Sequence, residues 1–443
     1  MEPPRAGRAV TPPTASRLAP FAALRHRNFR LLWNSQLVSM AGTMMQSAAI
    51  LWHVSLLVSP GHRALALGMV GLVRIVPIVG FSLVSGVVAD AVDRRRLLLV
   101  TQSGMAVAAG VLALCAFSGM RMLWPIYLLA AISSAFGSFD GPARQSLIPN
   151  LVPREDLPNA ISLNTIMFQL AAVLGPALGG LVIGGFGVGW AYALNAASFL
   201  FVIGALLVMR DVPGHAEGSA REISPRAALA GLRFVFHTPL IRSTMLLDFF
   251  ATLFASATAL LPIFAQDILR VGARGYGLLA AAPSVGALVT SAALVPLLDR
   301  IDRRGATMLW AVAAYGLATV AFGISRNFAL TFTCLALTGA TDTVSMVIRN
   351  VIRQLNTPDD MRGRMTSVNM IFFMGGPQLG ELEAGVVAHA WGAPFSVVSG
   401  GIACLLAAAV VVWRTPALRA YRRETPVLGR PDGRKGEPAA PPP

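Results

Sequence analysis

Apolar residues along this chain gather into long blocks separated by short polar and basic punctuation. A bilayer core of about 30 Å calls for roughly 20 apolar residues per helix. Twelve blocks approach that length: Leu31–Val58, Ala64–Ala89, Leu97–Ser118, Leu123–Phe139, Ile161–Gly184, Val188–Met209, Thr244–Phe264, Tyr276–Leu298, Ala306–Ile324, Phe328–Ile348, Met365–His389 and Pro394–Trp413. The pattern predicts an all-α membrane protein with twelve transmembrane helices. Composition agrees, because 55% of the 443 residues are hydrophobic and only 13% are charged, against about a quarter charged in soluble domains. Glycine is frequent, as expected where helices pack closely in lipid.

The net charge of +15 would suit a nucleic-acid partner, but its distribution argues for a membrane orientation instead. With the N-terminus placed inside, all but six of the 36 Lys and Arg residues fall on the cytoplasmic side. Arg63, Arg121, Arg270, Arg274 and Arg326 lie outside, and Arg74 lies within a span. That asymmetry obeys the positive-inside rule and supports the span count. The expected location is the inner (plasma) membrane with both termini cytoplasmic. Met1–Arg30 is a basic, Pro-rich tail with no apolar core and does not read as a cleaved signal peptide. Glu424–Pro443 is polar and Pro-rich and is expected to be disordered. Cys115, Cys334 and Cys404 stand alone, without metal or redox spacing.

The chain carries an internal repeat. A shift of 209 residues sets Gly68 on Gly277, Asp90-Asp93-Arg94-Arg95 on Asp299-Asp302-Arg303-Arg304, and Arg144, Gln145 and Pro149 on Arg353, Gln354 and Pro358. A shift of 201 sets Gly175-Pro176 and Gly179 on Gly376-Pro377 and Gly380. The expected organisation is a tail (1–30), a six-helix half (31–210), a linker (211–240), a second six-helix half (241–414) and a C-terminal tail (415–443).

Two parallel six-helix repeats with a site at mid-membrane are the plan of the major facilitator superfamily, and the chain resembles it over roughly residues 28 to 414. It is similar to the branch containing enterobactin exporters and macrolide efflux proteins. The residues carrying that likeness are Phe29-Arg30-Leu31-Leu32-Trp33 with Gln36, Asp140-Gly141-Pro142-Ala143-Arg144-Gln145, Val152 to Ala160, Gly175-Pro176-Ala177-Leu178-Gly179-Gly180, Arg362-Gly363-Arg364 and Gln378-Leu379-Gly380-Glu381. The superfamily's signature after helix 2, a Gly, an acid four residues on and then a basic pair, is matched by Gly86, Asp90, Arg94 and Arg95. The resemblance implies a cytoplasmic latch in which Asp90 partners Arg144 and the start of helix 11, with Asp299, Asp302, Arg303 and Arg304 as its counterpart. Ala91 and Asp93 depart from the signature, so the latch could run through Asp93. The alternative is a loop anchored by ordinary surface pairs, each worth about 0–1 kcal/mol. Gly175, Pro176, Gly179 and Gly180 resemble the helix 5 motif of antiporter branches, without its upstream glycines. Their minimal role is close helix packing with a lost backbone hydrogen bond.

Ionisable groups in hydrocarbon usually face a cavity or a partner. Arg74 lies near mid-membrane and is expected either in a structural pair or against a substrate anion or gate carboxylate. Asp248 is shallow enough to reach the inner interface, and Asp342 has Arg349 as a possible neighbour. Glu381 and Glu383 stand two residues apart and so point about 200° apart on a regular helix. A carboxylate in a low-dielectric cavity holds its proton more tightly. Glu381, Glu383, Asp248 and Asp342 are therefore the proton-coupling candidates, with Glu381 foremost. Gln36, Gln46, Met44, Met45, Arg74, Phe249, Phe250, Phe254 and Met346 are the candidate cavity liners. His53 is expected at the membrane interface.

No phosphate-binding loop, nucleophile constellation or metal cluster is present in the sequence, so neither enzyme activity, cofactor nor metal is expected. The expected function is a secondary exporter of an amphipathic or hydrophobic small molecule, siderophore or drug-like, working by alternating access with proton antiport, as a monomer among membrane lipids. A lipid or lysolipid flippase of the same fold and a non-transporting membrane sensor or assembly factor are the alternatives.

Overall fold

The computed structural model describes residues 21–209, 232–255, 257–358 and 361–423. Most of each expected tail and most of the expected linker lie outside the described residues. Among the described residues twelve long helices follow in order: α1 Arg27–Leu57, α2 Pro60–Ala91, α3 Arg94–Phe117, α4 Trp124–Leu147, α5 Leu157–Phe186, α6 Val188–Val208, α7 Pro239–Ala255, α8 Gly272–Leu297, α9 Arg304–Ile324, α10 Phe328–Leu355, α11 Arg362–Trp391 and α12 Ala393–Arg414. A short α13, Pro416–Ala420, closes the described chain. Every expected span but the seventh falls on one helix, and most of these helices run several residues longer at their ends.

Local chemistry sets the helix ends. Proline stands in the first turn of α2, α4, α5 and α12, where the missing N–H is no loss. Asp93 caps α3 by accepting from the Arg96 amide at 3.0 Å, and Asn327 caps α10 through the Leu330 amide at 3.2 Å. The α5–α6 and α11–α12 joints are each a single glycine, Gly187 (φ 93°) and Gly392 (φ 91°). A side chain at that left-handed φ would be strained. The matching joints are a sign of duplication that the residue alignment does not use.

Among the described residues nine helices are long and apolar enough to cross a membrane by length and mean hydropathy. Helices α1, α4 and α11 fall short because they carry polar residues: Gln36 and Gln46, Asp140 and Arg144, Glu381 and Glu383. The seventh span differs from expectation. It does not run as one α-helix to Phe264: the chain passes through a 3-10 turn at Ala257–Leu260 and a π-turn at Phe264–Ile268. Pro262 lies between the two turns and supplies no amide hydrogen there.

In the first half α1 packs on α5 and α6, α2 on α4, and α3 on α4 and α6. In the second, α8 packs on α10, α9 on α10 and α12, and α7 on α11 and α12. The halves meet mainly through α2 against α11 and α5 against α8, whereas α4 and α10 pack chiefly within their own halves. The buried apolar residues show what this does. At the end carrying the α1–α2 turn, here the far end, one continuous cluster joins both halves through Val54, Leu67, Tyr192, Leu261, Tyr276 and Phe322. At the terminal end each half keeps its own cluster, around Leu98, Leu147 and Leu163 in the first and Met308, Ile348 and Ile352 in the second. Among the described residues, buried apolar packing joins the halves at the far end and stays within each half at the terminal end.

Candidate functional site

The seal is built on glycine. A methyl group added at Gly68 of α2 would lie 2.9 Å from the Gly385 Cα of α11, and one at Gly180 of α5 would lie 2.7 Å from the Gly277 Cα of α8. Backbones therefore touch at both seams. Gly68 and Gly277 are partners in the 209-residue repeat, so the two seams are related by the pseudo-symmetry of the halves. Gly175 and Gly179 face Met44 and Met45 of α1. The helix 5 motif thus serves two crossings, one within its half and one between halves. Met44 and Met45 belong to the first of these crossings.

Polar links reinforce the seal across the halves. Arg63 pairs with Asp267 at 2.7 Å. Gln266 donates to the Ser55 hydroxyl at 2.7 Å, and the Tyr276 hydroxyl donates to the Ala48 carbonyl at 2.9 Å with its ring stacked on Trp52. His389 meets the Gly61 carbonyl at 2.8 Å beside His62. His53, expected at the interface, meets the Tyr192 hydroxyl at 3.2 Å.

Glu381 sits within the α2–α11 seam. It is only 7% exposed, and its Oε2 has no hydrogen-bond donor among the described residues. Its side chain lies against Gly71 of α2, where an added methyl would be 2.8 Å from the Glu381 Cβ and 3.1 Å from Oε2. Arg74, one turn along α2, acts electrostatically on Glu381, Tyr192 and Tyr276. Glu383 points elsewhere and is half-buried, as the two-residue spacing requires, and its Oε2 also lacks a donor among the described residues.

A second charged group lies in the other half. Arg349 of α10 is 2% exposed and holds Asp248 of α7 at 2.8 Å and Asp342 of α10 at 3.4 Å. The shallow position of Asp248 predicts that it reaches the inner interface; it is buried on a cation instead. Beside it Phe254, Phe250, Phe249 and Phe372 form a run of ring contacts with centroids 5.6–6.0 Å apart. Met346 is half-buried nearby on α10. Gln36 is buried, and Gln46 accepts from Asn195 of α6 at 2.8 Å, so Gln46 serves packing within the first half and not a cavity wall.

At the terminal end Gly86 and the side chains of Asp90 and Asp299 fall outside the described residues. Asp90 lies in the last turns of α2, and Asp299 in the turn after α8. Arg144 pairs with Asp140 of its own helix, whose Oδ1 also accepts from Gln102 at 2.7 Å. Asp93 is a helix cap and not a cross-half link. Arg94 and Arg95 donate to the Ser146 and Leu207 carbonyls. Asp302 and Arg303 are exposed, and Arg304 is buried. Arg353, the repeat partner of Arg144, bonds Asn350 and Asn369. Arg349, Asp140 and Tyr276 are the residues that sequence reasoning undervalued. The Asp140–Arg144 spacing of four was the available signal for one of them.

Comparison with known proteins gives a consistent picture. Residues 18–425 match the family described as transmembrane secretion effector. The enterobactin exporter EntS of Escherichia coli O157:H7 is 28% identical over 351 residues, covering 79% of this chain and 83% of that protein. EntS of Shigella boydii serotype 18 is 29% identical over 350 residues with the same coverage. A POT family transporter solved with 5-aminolevulinic acid superposes with a TM-score of 0.70 at 10% identity, over 88% of this chain and 96% of that one. A bacterial homologue of the human lysosomal transporter Spinster gives 0.68 at 14% identity, over 89% and 98%.

Proposed function

The chain belongs to the transmembrane secretion effector family of the major facilitator superfamily and is a multi-pass membrane transporter, not an enzyme, and from that premise we propose that it exports an amphipathic or hydrophobic small molecule in exchange for protons. Relatives named as enterobactin exporters support the export direction and a siderophore-like or drug-like cargo. The four-ring aromatic run suits a loosely specific apolar surface for such a cargo.

The observation that carries the coupling is Glu381. A carboxylate enclosed between α2 and α11 with an unpartnered oxygen sits where separation of the halves would wet it. In hydrocarbon an ionised carboxylate is costly and a protonated one far less so. Glu381 takes a proton when the far end opens, and the seam closes on it as the halves rock. Cargo enters between the terminal ends, which face the cytoplasm of the inner membrane. Arg74 supplies the local positive field that releases the proton when the terminal side is wet. Asp90, Arg94, Arg95 and Arg144, with Asp299, Asp302, Arg303 and Arg304, form the latch of the opposite state. While the terminal ends stand apart, Asp140 keeps Arg144 neutralised.

The test is efflux of a fluorescent substrate from energised cells, with and without an uncoupler. Efflux should collapse on uncoupling, and Glu381→Gln should abolish uphill efflux while retaining substrate exchange. Efflux that ignores the uncoupler overturns proton coupling. A wild-type Glu381→Gln with uncoupler-sensitive efflux removes Glu381 as carrier and moves the role to Glu383, Asp248 or Asp342.

A further inference from the structure

The second half contains a cavity of about 140 Å³ that lies apart from the α2–α11 seam. Its wall combines the break in α7 (Ala255, Thr258), Pro283 of α8, Tyr315, Thr319 and Phe322 of α9, and Thr338 and Asp342 of α10. Three of its hydroxyl groups already donate their single hydrogen to backbone carbonyls. Tyr315 donates to Ala255 at 3.4 Å, Thr319 to Tyr315 at 2.9 Å, and Thr338 to Leu335 at 2.6 Å. A hydroxyl has one hydrogen and two lone pairs, so Thr319 and Thr338 are left as acceptors only, and Tyr315, whose bond is longer, offers its lone pairs beside them.

Asp342 adds a fourth acceptor and a charge. Its side chain is 43% exposed, and the cation paired with it among the described residues, Arg349, stands 3.4 Å away. The same guanidinium nitrogen lies 2.8 Å from Asp248, the distance of a full charge-assisted hydrogen bond. Arg353, one turn on, is engaged by two asparagines. Two carboxylates thus share one committed arginine, and the cavity presents lone pairs and an undercompensated negative charge against aromatic and apolar walls. Among the described residues no group of three His, Cys, Asp or Glu side chains gathers here to hold a metal ion. An anion would meet the Asp342 charge and the lone pairs of Thr319 and Thr338.

We infer that this cavity is a binding site for a primary alkylammonium group, with Asp342 as its counter-ion and the Tyr315, Thr319 and Thr338 oxygens receiving its N–H groups. The volume is close to that of a cavity known to hold a benzene-sized molecule, about 150 Å³, so the guest is the ammonium end of a molecule or a small amine. The inference does not depend on proton exchange at Glu381: loss of uncoupler sensitivity would leave it standing.

The experiment is calorimetric titration of the purified full chain in lipid nanodiscs with n-propylammonium, n-propanol and tetramethylammonium. n-Propylammonium should bind saturably, whereas n-propanol, without charge, and tetramethylammonium, without N–H, should each bind about tenfold more weakly or not at all. Asp342→Asn should weaken n-propylammonium binding by about tenfold or more, and Glu381→Gln should leave it unchanged. Thr338→Val, which keeps the side-chain shape, should weaken it severalfold and guards against an Asp342 variant that fails to fold. n-Propylammonium binding that is absent in the wild type, matched by tetramethylammonium, or unaffected by both Asp342→Asn and Thr338→Val overturns the site. If the bound amine belongs to the exported molecule, n-propylammonium competes with efflux of the fluorescent substrate; if it belongs to a separate co-ion, efflux is unaffected while binding persists.

Discussion

At the scale of residues, charge is tolerated here only where it is shared. Arg349 is among the largest fully buried side chains, and its removal would leave Asp248 enclosed without a cation. Breaking such a buried pair costs about 3–5 kcal/mol. Arg349→Ala should therefore lower the thermal midpoint strongly in detergent, with Arg349→Lys recovering part of the loss; an Arg349→Ala protein as stable as wild type would show that the pair is not structural. Asp140 and Arg144 give a second case. In the latch reading Arg144 exchanges Asp140 for Asp90 between states, so Asp90→Asn and Arg144→Ala should each slow efflux severalfold without lowering membrane expression. Residues sharing one interaction couple, and the double variant should be no slower than the worse single one. Additive losses would separate the two residues.

At the scale of elements, the far end closes because backbones touch. Valine at Gly385 would meet the Gly68 Cα and the Ala64 carbonyl, and valine at Gly277 would meet the Pro176 carbonyl. Overpacking of this kind costs about 1–3 kcal/mol, and about 2 kcal/mol shifts a two-state ratio roughly 30-fold. The His62 and His389 rings lie 5.6 Å apart across the halves. Cysteines at those two positions, in a background without Cys115, Cys334 and Cys404, should cross-link readily. Adding Gly277→Val should cut the yield severalfold at a seam distant from the cysteines. An unchanged yield would mean that the α5–α8 crossing does not govern closure. The broken stretch from 257 to 268 contributes here too, because it places Leu261, Gln266 and Asp267 on the first half's far end.

At the scale of the whole molecule, one apolar cluster at the far end and separate clusters at the terminal end describe a two-body machine held at one rim. The orientation proposed for it puts the cargo entrance in the cytoplasm. A single cysteine at Gly218, in the segment joining the halves, should resist a membrane-impermeant maleimide on intact cells and react once the cells are opened. Reaction on intact cells would invert the topology and, with it, the transport direction.

The sequence by itself determined the helices, their number and their duplication. Apolar runs of bilayer length have few alternatives in a solvent without hydrogen bonds, and the repeat is written in residues such as Gly68 and Gly277. The wide spacing of Glu381 from Glu383 was legible too, because helical geometry is local. What lay beyond sequence was which distant groups share a charge or a surface. That Arg349 joins Asp248, one hundred and one positions away, that Gln46 turns to Asn195, and that Glu381 is enclosed by Gly71 all depend on how the helices cross. The wall around Asp342 is a product of both: the Thr319 and Thr338 hydroxyls bond carbonyls one turn back on their own helices, which is local, whereas only the tertiary structure brings Tyr315 to the Ala255 carbonyl and all three beside Asp342.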